Sequence, residues 1–134
     1  MGSRDIEPKQ LAAAAAKHAW LKKGEHIRIF EVTDLLRIAD YFVLVTGLNR
    51  PHVKAIHQEL HMSLKAAGEV CAKAEGADLG WWVLMDYVDV VVHVLQPQAR
   101  AYYDLDNLYG ECPELDWQAL ETPGLPEEPK RVAE

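Results

Sequence analysis

Two histidines of a predicted helix have the spacing of a metal-binding pair. His57 and His61 are four residues apart and so lie on one side of a helix, with His52 nearby. A zinc peptidase requires a glutamate directly after the first histidine, whereas Glu59 is the second residue after His57 and projects from another side. The histidines flank an apolar stripe, so we interpret them as a solvated helix face and predict no metal. A histidine metal site is the alternative that this reasoning leaves open.

Two aspartates invite comparison with the paired carboxylates that hold magnesium in phosphoryl-transfer enzymes. Asp86 and Asp89 are three residues apart, so in an extended strand they face opposite sides. The chain has two serines, Ser3 and Ser63, and neither has the strand-turn setting of a nucleophile. Gly47 precedes a predicted helix, but one glycine does not make a phosphate-binding loop. We therefore predict no enzyme and no cofactor, and we expect the aspartates to serve a turn or a partner contact.

The negative charge of the chain is concentrated at its C-terminal end. The formal net charge is −7, and residues 111–134 hold seven acidic and two basic side chains, against fourteen and twelve in the rest. A protein that binds nucleic acid through phosphates needs a clustered basic face, and Lys22-Lys23 is the one basic cluster before residue 111. We therefore predict no strong direct nucleic-acid binding, and we regard a basic protein as a compatible partner.

The length of 134 residues suits one domain. We predict that domain over residues 1–110 and an acidic, proline-containing tail over residues 111–134, whose composition cannot bury enough surface to order itself. No stretch approaches the ~20 apolar residues of a membrane span, and the first residues lack secretory, transit and myristoylation signals. Cys71 and Cys112 lack metal or redox spacing and are interpreted as free thiols. These features are typical of a cytoplasmic protein.

Apolar periodicity predicts the order of helices and strands. Helical spacing, β-branched runs and capping residues such as Asn49 and Pro51 mark the elements. The predicted helices cover residues 8–22, 49–68 and 97–103, the predicted strands cover 27–32, 40–47, 69–74, 81–87 and 89–95, and 104–110 form an ordered turn. The last two strands form a hairpin. This order predicts an α/β fold with α+β layers, in which a mixed β-sheet has helices packed mainly on one side.

Five sequence blocks follow one another over two-thirds of the chain. They are Ile38-Ala-Asp-Tyr-Phe-Val with Thr46-Gly47, Val53-Lys-Ala-Ile, Trp82-Val-Leu-Met-Asp-Tyr, Asp89-Val-Val-Val-His-Val, and Tyr103-Asp-Leu with Leu108, Gly110 and Pro113. Each block alone is weak, but their order and spacing make residues 23–113 resemble the ribosomal silencing factors, also called the Iojap family. The chain departs from that pattern at residues 49–52, at Val88, where glycine is frequent, and at Tyr109, where tryptophan is frequent.

The resemblance implies a nucleotidyltransferase-like fold without the catalytic carboxylates of that superfamily, in agreement with the aspartate spacing. It also implies a factor that binds protein L-fourteen of the large ribosomal subunit. By steric exclusion such a factor keeps the small subunit from docking, and translation falls when nutrients are scarce. A nucleotide-handling enzyme on the same fold is the rival interpretation, and a homodimer is left open.

Strand alternation selects the residues that would contact such a partner. Trp82, Leu84 and Asp86 share one face of their strand, and the residues between them share the other. We predict a contact region on the hairpin, in which Asp86 and Asp89 pair with basic side chains of the partner. Its residues are Trp82, Leu84, Met85, Asp86, Tyr87, Asp89 and His93. The alternative that stays open is that the apolar members of this set are core residues and that the histidine is simply buried.

Overall fold

The computed structural model describes residues 7–120, which form one six-stranded sheet covered by helices. The elements in chain order are α1 (Pro8–Leu21), β1 (Glu25–Glu31), β2 (Tyr41–Thr46), α2 (Arg50–Ala66), β3 (Lys73–Glu75), β4 (Trp82–Asp86), β5 (Val90–Leu95), α3 (Pro97–Tyr103), α4 (Leu105–Leu108) and β6 (Glu114–Leu115). Within this described part, none of the helices has the length and apolar character needed to cross a bilayer. The mixed α/β architecture predicted from the sequence is confirmed.

The sheet is built around two parallel strands. The strand order is β3-β4-β5-β2-β1-β6, in which β2 and β5 run parallel and all other neighbours run antiparallel. Every residue of β2 and of β5 is buried, as expected for continuous apolar strands that are covered on both faces. The central strand predicted over residues 40–47 is therefore confirmed.

One face of the sheet carries the two long helices. α1 contributes a run of five alanines, residues 12–16, that have no exposed surface, and side chains this small let its backbone pack close to the strands. α2 contributes Val53, Ile56, Leu60 and Leu64, which are spaced to lie on one side of a helix. They pack against inward-facing strand residues, which include Ile29, Tyr41, Val43, Val45, Val83, Met85, Val90, Val92 and Val94.

The second face has a thinner cover. Its core consists of strand residues and of Val32 and Ala39 beside them, together with Ala99 from α3 and Leu105 from α4. Alternation along β2 shows the division, because Val43 points to the long helices whereas Phe42 and Leu44 point to the second face. The sequence predicts helices mainly on one side of the sheet. The two long helices do lie on one side, and the short helices cover the other.

Capping chemistry places most element boundaries where the sequence predicts them. Asn49 caps α2 by accepting a hydrogen bond from the His52 backbone N–H at 2.9 Å. Two predictions need correction. The strand expected over residues 69–74 is only the exposed edge strand β3, and the turn expected over residues 104–110 contains the single-turn helix α4. The helix forms because Asp104, at φ 53°, ends α3 in a left-handed conformation from which a new turn begins.

The first part of the predicted acidic tail belongs to the sheet. β6 pairs antiparallel with the middle of β1, and Arg28 of β1 donates two hydrogen bonds, of 3.0 and 2.8 Å, to the Glu114 carboxylate. Backbone pairing, charge and the packing of Leu115 and Trp117 against the core hold this segment. The sheet therefore continues past the boundary predicted at residue 110, and the rest of the predicted tail, residues 121–134, lies outside the described residues.

A charged network joins the short helices to the sheet. The Arg100 guanidinium of α3 donates two hydrogen bonds to Asp106 of α4, both at 2.8 Å, and one to the Thr46 hydroxyl of β2 at 2.9 Å. Asp106 also accepts from Arg28 at 3.0 Å, and Arg28 in turn holds Glu114. Because Arg100 is only 9% exposed, its charge requires such a partner. The network therefore fixes α3 and α4 against β1 and β2.

The same contacts shift the ionisation of the carboxylates. Hydrogen bonds from Arg100, and then from Arg28, hold the pKa of Asp106 below its ordinary value. The hydrogen bond from Arg28 lowers the pKa of Glu114, and that contact in turn raises the pKa of Arg28. The charged form of each group is therefore favoured, and the network is intact at neutral pH.

Replacement of Asp106 by asparagine should destabilise the fold. The Asp106→Asn variant leaves the buried Arg100 guanidinium without its charge partner, so we expect the free energy of unfolding to fall by about 2–3 kcal/mol. Urea unfolding followed by circular dichroism measures this change. Glu75→Gln is the control, because it removes the exposed Lys73–Glu75 pair and should leave the midpoint unchanged. An unaltered midpoint in Asp106→Asn would show that the network does not support the fold.

Candidate protein-binding surface

Aromatic side chains on the second face of the sheet form a continuous series of ring contacts. Ring centres are 4.6 Å apart for Trp82 and Tyr103, and 5.0 Å apart for Tyr103 and Tyr102. The His93 ring contacts both Trp82 and Phe42, with centres 5.9 and 4.8 Å away. The Tyr109 ring lies 5.1 Å from the Phe42 ring, and Leu84 packs against the same core. We call the partly exposed side chains of this surface the aromatic face, which consists of Trp82, Leu84, Tyr102, Tyr103 and Tyr109.

The aromatic face is open to solvent where the short helices end. Tyr102 is 79% exposed and Tyr103 is 43% exposed, whereas Trp82 and Leu84 are half-buried. Tryptophan and tyrosine combine a large apolar area with few rotatable bonds, and they are enriched in the energetic centres of protein interfaces. The composition of this surface therefore suits a protein partner.

β4 places its residues alternately on the two faces, as the sequence predicts. Trp82, Leu84 and Asp86 are partly exposed, whereas Met85 is fully buried in the core beneath the long helices. The structure contradicts the inclusion of Met85 in the contact region, because its side chain has no exposed surface. Tyr87 is 6% exposed in the same core, where burial raises the pKa of its phenol. Tyr87 is therefore also a core residue, and not the contact residue that the sequence predicts.

His93 lies beneath the aromatic face and is not part of its surface. It is 4% exposed, and its Nδ1 accepts a hydrogen bond from the Trp82 indole N–H at 3.1 Å. Burial lowers the pKa of His93 to about 4, so the ring is neutral at pH 7 and can act as an acceptor. Its Nε2 has no hydrogen-bond partner within the described part of the chain. The prediction that His93 contacts a partner is therefore corrected. His93 positions Trp82, and almost none of its own surface is exposed.

The two aspartates of the hairpin differ in what they offer a partner. One oxygen of Asp86 accepts a hydrogen bond from the Val88 N–H at 2.7 Å and thereby shapes the turn. The Asp89 side chain is exposed, and its backbone carbonyl accepts hydrogen bonds from Asp40 and Tyr41 at 2.8 and 3.1 Å. Asp89 therefore presents its carboxylate to solvent from a fixed backbone. The pairing of both aspartates with basic side chains stays a prediction.

Sequence reasoning missed the two tyrosines at the end of α3. The helix predicted over residues 97–103 is confirmed, but spacing alone gave no indication that it packs beside β4. A signal was nevertheless present. Consecutive residues of a helix point about 100° apart, and a buried tyrosine hydroxyl needs a hydrogen-bond partner. Two adjacent tyrosines at the end of a short helix therefore favour a surface position for at least one of them.

The histidine pair of α2 is close together but isolated from other ligands. The ring centres of His57 and His61 are 6.4 Å apart. Burial, and then the neighbouring His61, lowers the pKa of His57. Across residues 7–120, no three His, Cys, Asp or Glu side chains come together in a group that could hold a metal ion. The described residues thus give the metal-site alternative no further ligand.

A depression of about 310 Å³ beside α3 is large enough to consider for a small ligand. Its polar lining includes Arg100 and Thr46, which are already hydrogen-bonded to each other. The carboxylates of Glu25, Asp104 and Asp106 also line it, and they would repel phosphate groups. The depression therefore does not favour the nucleotide-handling interpretation.

Comparison with known proteins agrees with this fold. The family model described as "ribosomal silencing factor during starvation" matches residues 5–134. The ribosomal silencing factor of Bacillus subtilis is 36% identical over 107 residues, which cover 80% of this chain and 88% of that protein. The chain belongs to the ribosomal silencing factor family.

Two further relatives of this chain extend the comparison. A crystal structure of a Chromobacterium violaceum protein matches with a TM-score of 0.76 at 34% identity, covering 78% of this chain and 87% of that chain. The mouse protein named mitochondrial assembly of ribosomal large subunit protein 1 is 30% identical over 91 residues, which cover 66% of this chain and 40% of that protein. The family resemblance read from the five sequence blocks is confirmed.

The stability of this protein should fall in acid because of His93. Its pKa is about 4 in the folded protein against an ordinary value of 6.5, so below pH 6.5 the unfolded chain binds a proton that the folded protein does not. The stabilisation is complete above pH 6.5 and is lost progressively as the pH falls towards 4. The expected loss is about 3 kcal/mol in the free energy of unfolding.

Denaturant unfolding of the wild type and of His93→Gln across this pH range measures the effect. Glutamine keeps an acceptor for the Trp82 indole but does not titrate, so the variant should show a flatter dependence on pH. The same steep dependence in both proteins would assign the acid sensitivity to other groups.

Proposed function

We propose that this silencing factor binds the large ribosomal subunit through protein L-fourteen and uses the aromatic face for that contact. Bound there, the domain occupies space that the small subunit needs for docking, so the subunits do not join and translation falls under nutrient limitation. One observation carries the proposal: a continuous, partly exposed set of aromatic rings on a domain whose relatives are named for their action on ribosomes.

Steric blocking of this kind requires a stable contact and no catalysis. A standard interface buries about 800 Å² on each partner, and a few aromatic anchors supply most of its binding free energy. Trp82 is held by the hydrogen bond to His93 and by contact with the Tyr103 ring. An anchor that is already fixed in the free protein loses little side-chain entropy on binding. The aromatic face is therefore prepared for binding before the partner arrives.

The charge of the chain supports a basic partner. The formal net charge is −7, and the exposed Asp89 and the partly exposed Asp86 lie at the end of the hairpin that carries Trp82. Carboxylates beside an apolar anchor accelerate association with a cationic surface and orient the complex more than they increase its affinity. We therefore expect the association rate to fall as the salt concentration rises.

We further propose that the protein acts in the cytoplasm and needs no cofactor, with protein contacts as the main source of its affinity. The aromatic face could also meet a second copy of the chain, and such a homodimer would compete with the ribosome for it. Sedimentation of the free protein over a range of concentrations tests for that dimer.

The variant Trp82→Ala with Tyr103→Ala removes the two central anchors. We expect its affinity for purified large ribosomal subunits to fall by about 100-fold, because two hot-spot side chains are lost together. Both rings are partly exposed, so the thermal melt followed by circular dichroism should change by only a few degrees. Co-sedimentation through a sucrose cushion, at a series of protein concentrations, measures the affinity.

Trp81→Ala is the matched control for this experiment. Trp81 is 38% exposed and adjoins Trp82 in sequence, but it is not a member of the aromatic face. We expect the control to bind like the wild type. Wild-type protein that fails to sediment with large subunits would contradict the proposed function, and a double variant that binds normally would place the contact elsewhere on the molecule.

A further inference from the structure

The turn at the tip of the β4–β5 hairpin has a strained backbone. Val88 lies at φ +75°, and the Asp89 N–H donates to the Tyr87 carbonyl, two residues earlier, at 2.9 Å. A hydrogen bond of this span with a positive φ at its middle residue defines the rarer, strained form of the γ-turn. The Asp86 carboxylate accepts from the Val88 N–H at 2.7 Å, and the Tyr87 N–H donates to the Val90 carbonyl at 2.8 Å. These bonds hold the turn in place.

Valine is poorly suited to this backbone conformation. A left-handed φ crowds the Cβ against the backbone, and a branched Cβ increases the crowding, whereas glycine has no such cost. The other non-glycine residues with positive φ in the described part of the chain are Lys23, His26 and Asp104, and none of these is β-branched. Val88 is 60% exposed, so packing inside the domain does little to offset the strain. The fold therefore offers this valine little compensation for the strain.

The surroundings of Val88 indicate the kind of molecule it contacts. Val88 and Val70, which are 60% and 79% exposed, line a groove of about 430 Å³ that also meets Pro8 and Leu11 of α1. The exposed Asp89 lines the same groove, and no basic side chain in the described part of the chain forms an ion pair with it. An apolar tip beside such a carboxylate is complementary to an apolar recess that is bordered by lysine or arginine.

We propose that Val88 is a specificity-determining residue, which inserts into a basic-bordered apolar recess on the ribosomal protein that covers the aromatic face. The inference rests on the proposed function. The distances are compatible with one partner, because Val88 is four residues beyond Leu84, at most about 13 Å along an extended chain. An interface of about 800 Å² per partner is about 30 Å across. A partner seated on the aromatic face therefore reaches Val88 if it also wraps around the strand ends, because the groove beside Val88 opens on the long-helix side.

Replacing Val88 with residues that fit the turn separates strain from contact. Val88→Gly and Val88→Asn both tolerate a positive φ, so both variants should melt at or above the wild-type temperature. Each also removes the apolar side chain, so affinity for purified large ribosomal subunits should fall about tenfold. Biolayer interferometry with immobilised full-length protein gives the affinity, and differential scanning calorimetry gives the melting temperature.

His26→Gly is the matched control. His26 is exposed and also has a positive φ, of 50°. It lies in β1 beside the end of β2, at the opposite end of the sheet from the hairpin tip. We expect this variant to keep the wild-type affinity.

Two results would overturn the inference. Unchanged affinity in both Val88 variants would mean that the side chain makes no contact, and melting temperatures that fall together with affinity would mean that valine supports the fold. The Trp82→Ala, Tyr103→Ala protein is measured alongside. If it loses binding while the Val88 variants keep theirs, only the role of Val88 fails; if it also binds normally, the proposed binding face fails as well.

Discussion

Two parallel strands in which every side chain is buried impose the constraint on which this structure depends. β2 and β5 have no polar face, so other elements must cover both sides of the sheet. The long helices α1 and α2 cover one side. The other side has helices of only seven and four residues, too short to be stable alone. The partly buried ion pair between Arg100 and Asp106 ties both of them to the sheet.

The incomplete cover on the second side creates the candidate binding surface. α3 ends at Tyr103 and leaves β4 partly open, so Trp82 and Leu84 are half-buried and not enclosed. Beneath them, the neutral His93 accepts the indole hydrogen bond that orients Trp82. The aromatic face is thus in direct contact with the core beneath it. A change in the charged network at Arg100 should therefore also displace the rings that a partner would contact.

Periodicity along the strands makes much of this arrangement predictable, because alternation assigns each residue to a face. It grouped Trp82 with Leu84 and identified the hairpin. It could not decide which face the long helices cover, since Met85 is as apolar as Leu84, and the inclusion of Met85 in the contact region was wrong for that reason. Local spacing could not predict the contact between α3 and β4 or the pairing of Arg100 with Asp106. Both join segments that meet only in the folded chain.

Hydroxyl-radical footprinting of the protein bound to large ribosomal subunits tests most directly whether the aromatic face is the contact. The method reports the solvent exposure of reactive side chains such as tryptophan, tyrosine and methionine. We expect oxidation of Trp82, Tyr102 and Tyr103 to fall several-fold on binding, while Met62, which is 69% exposed on α2, reacts as in the free protein. Protection of Met62 with undiminished oxidation of the two tyrosines would contradict this placement of the interface.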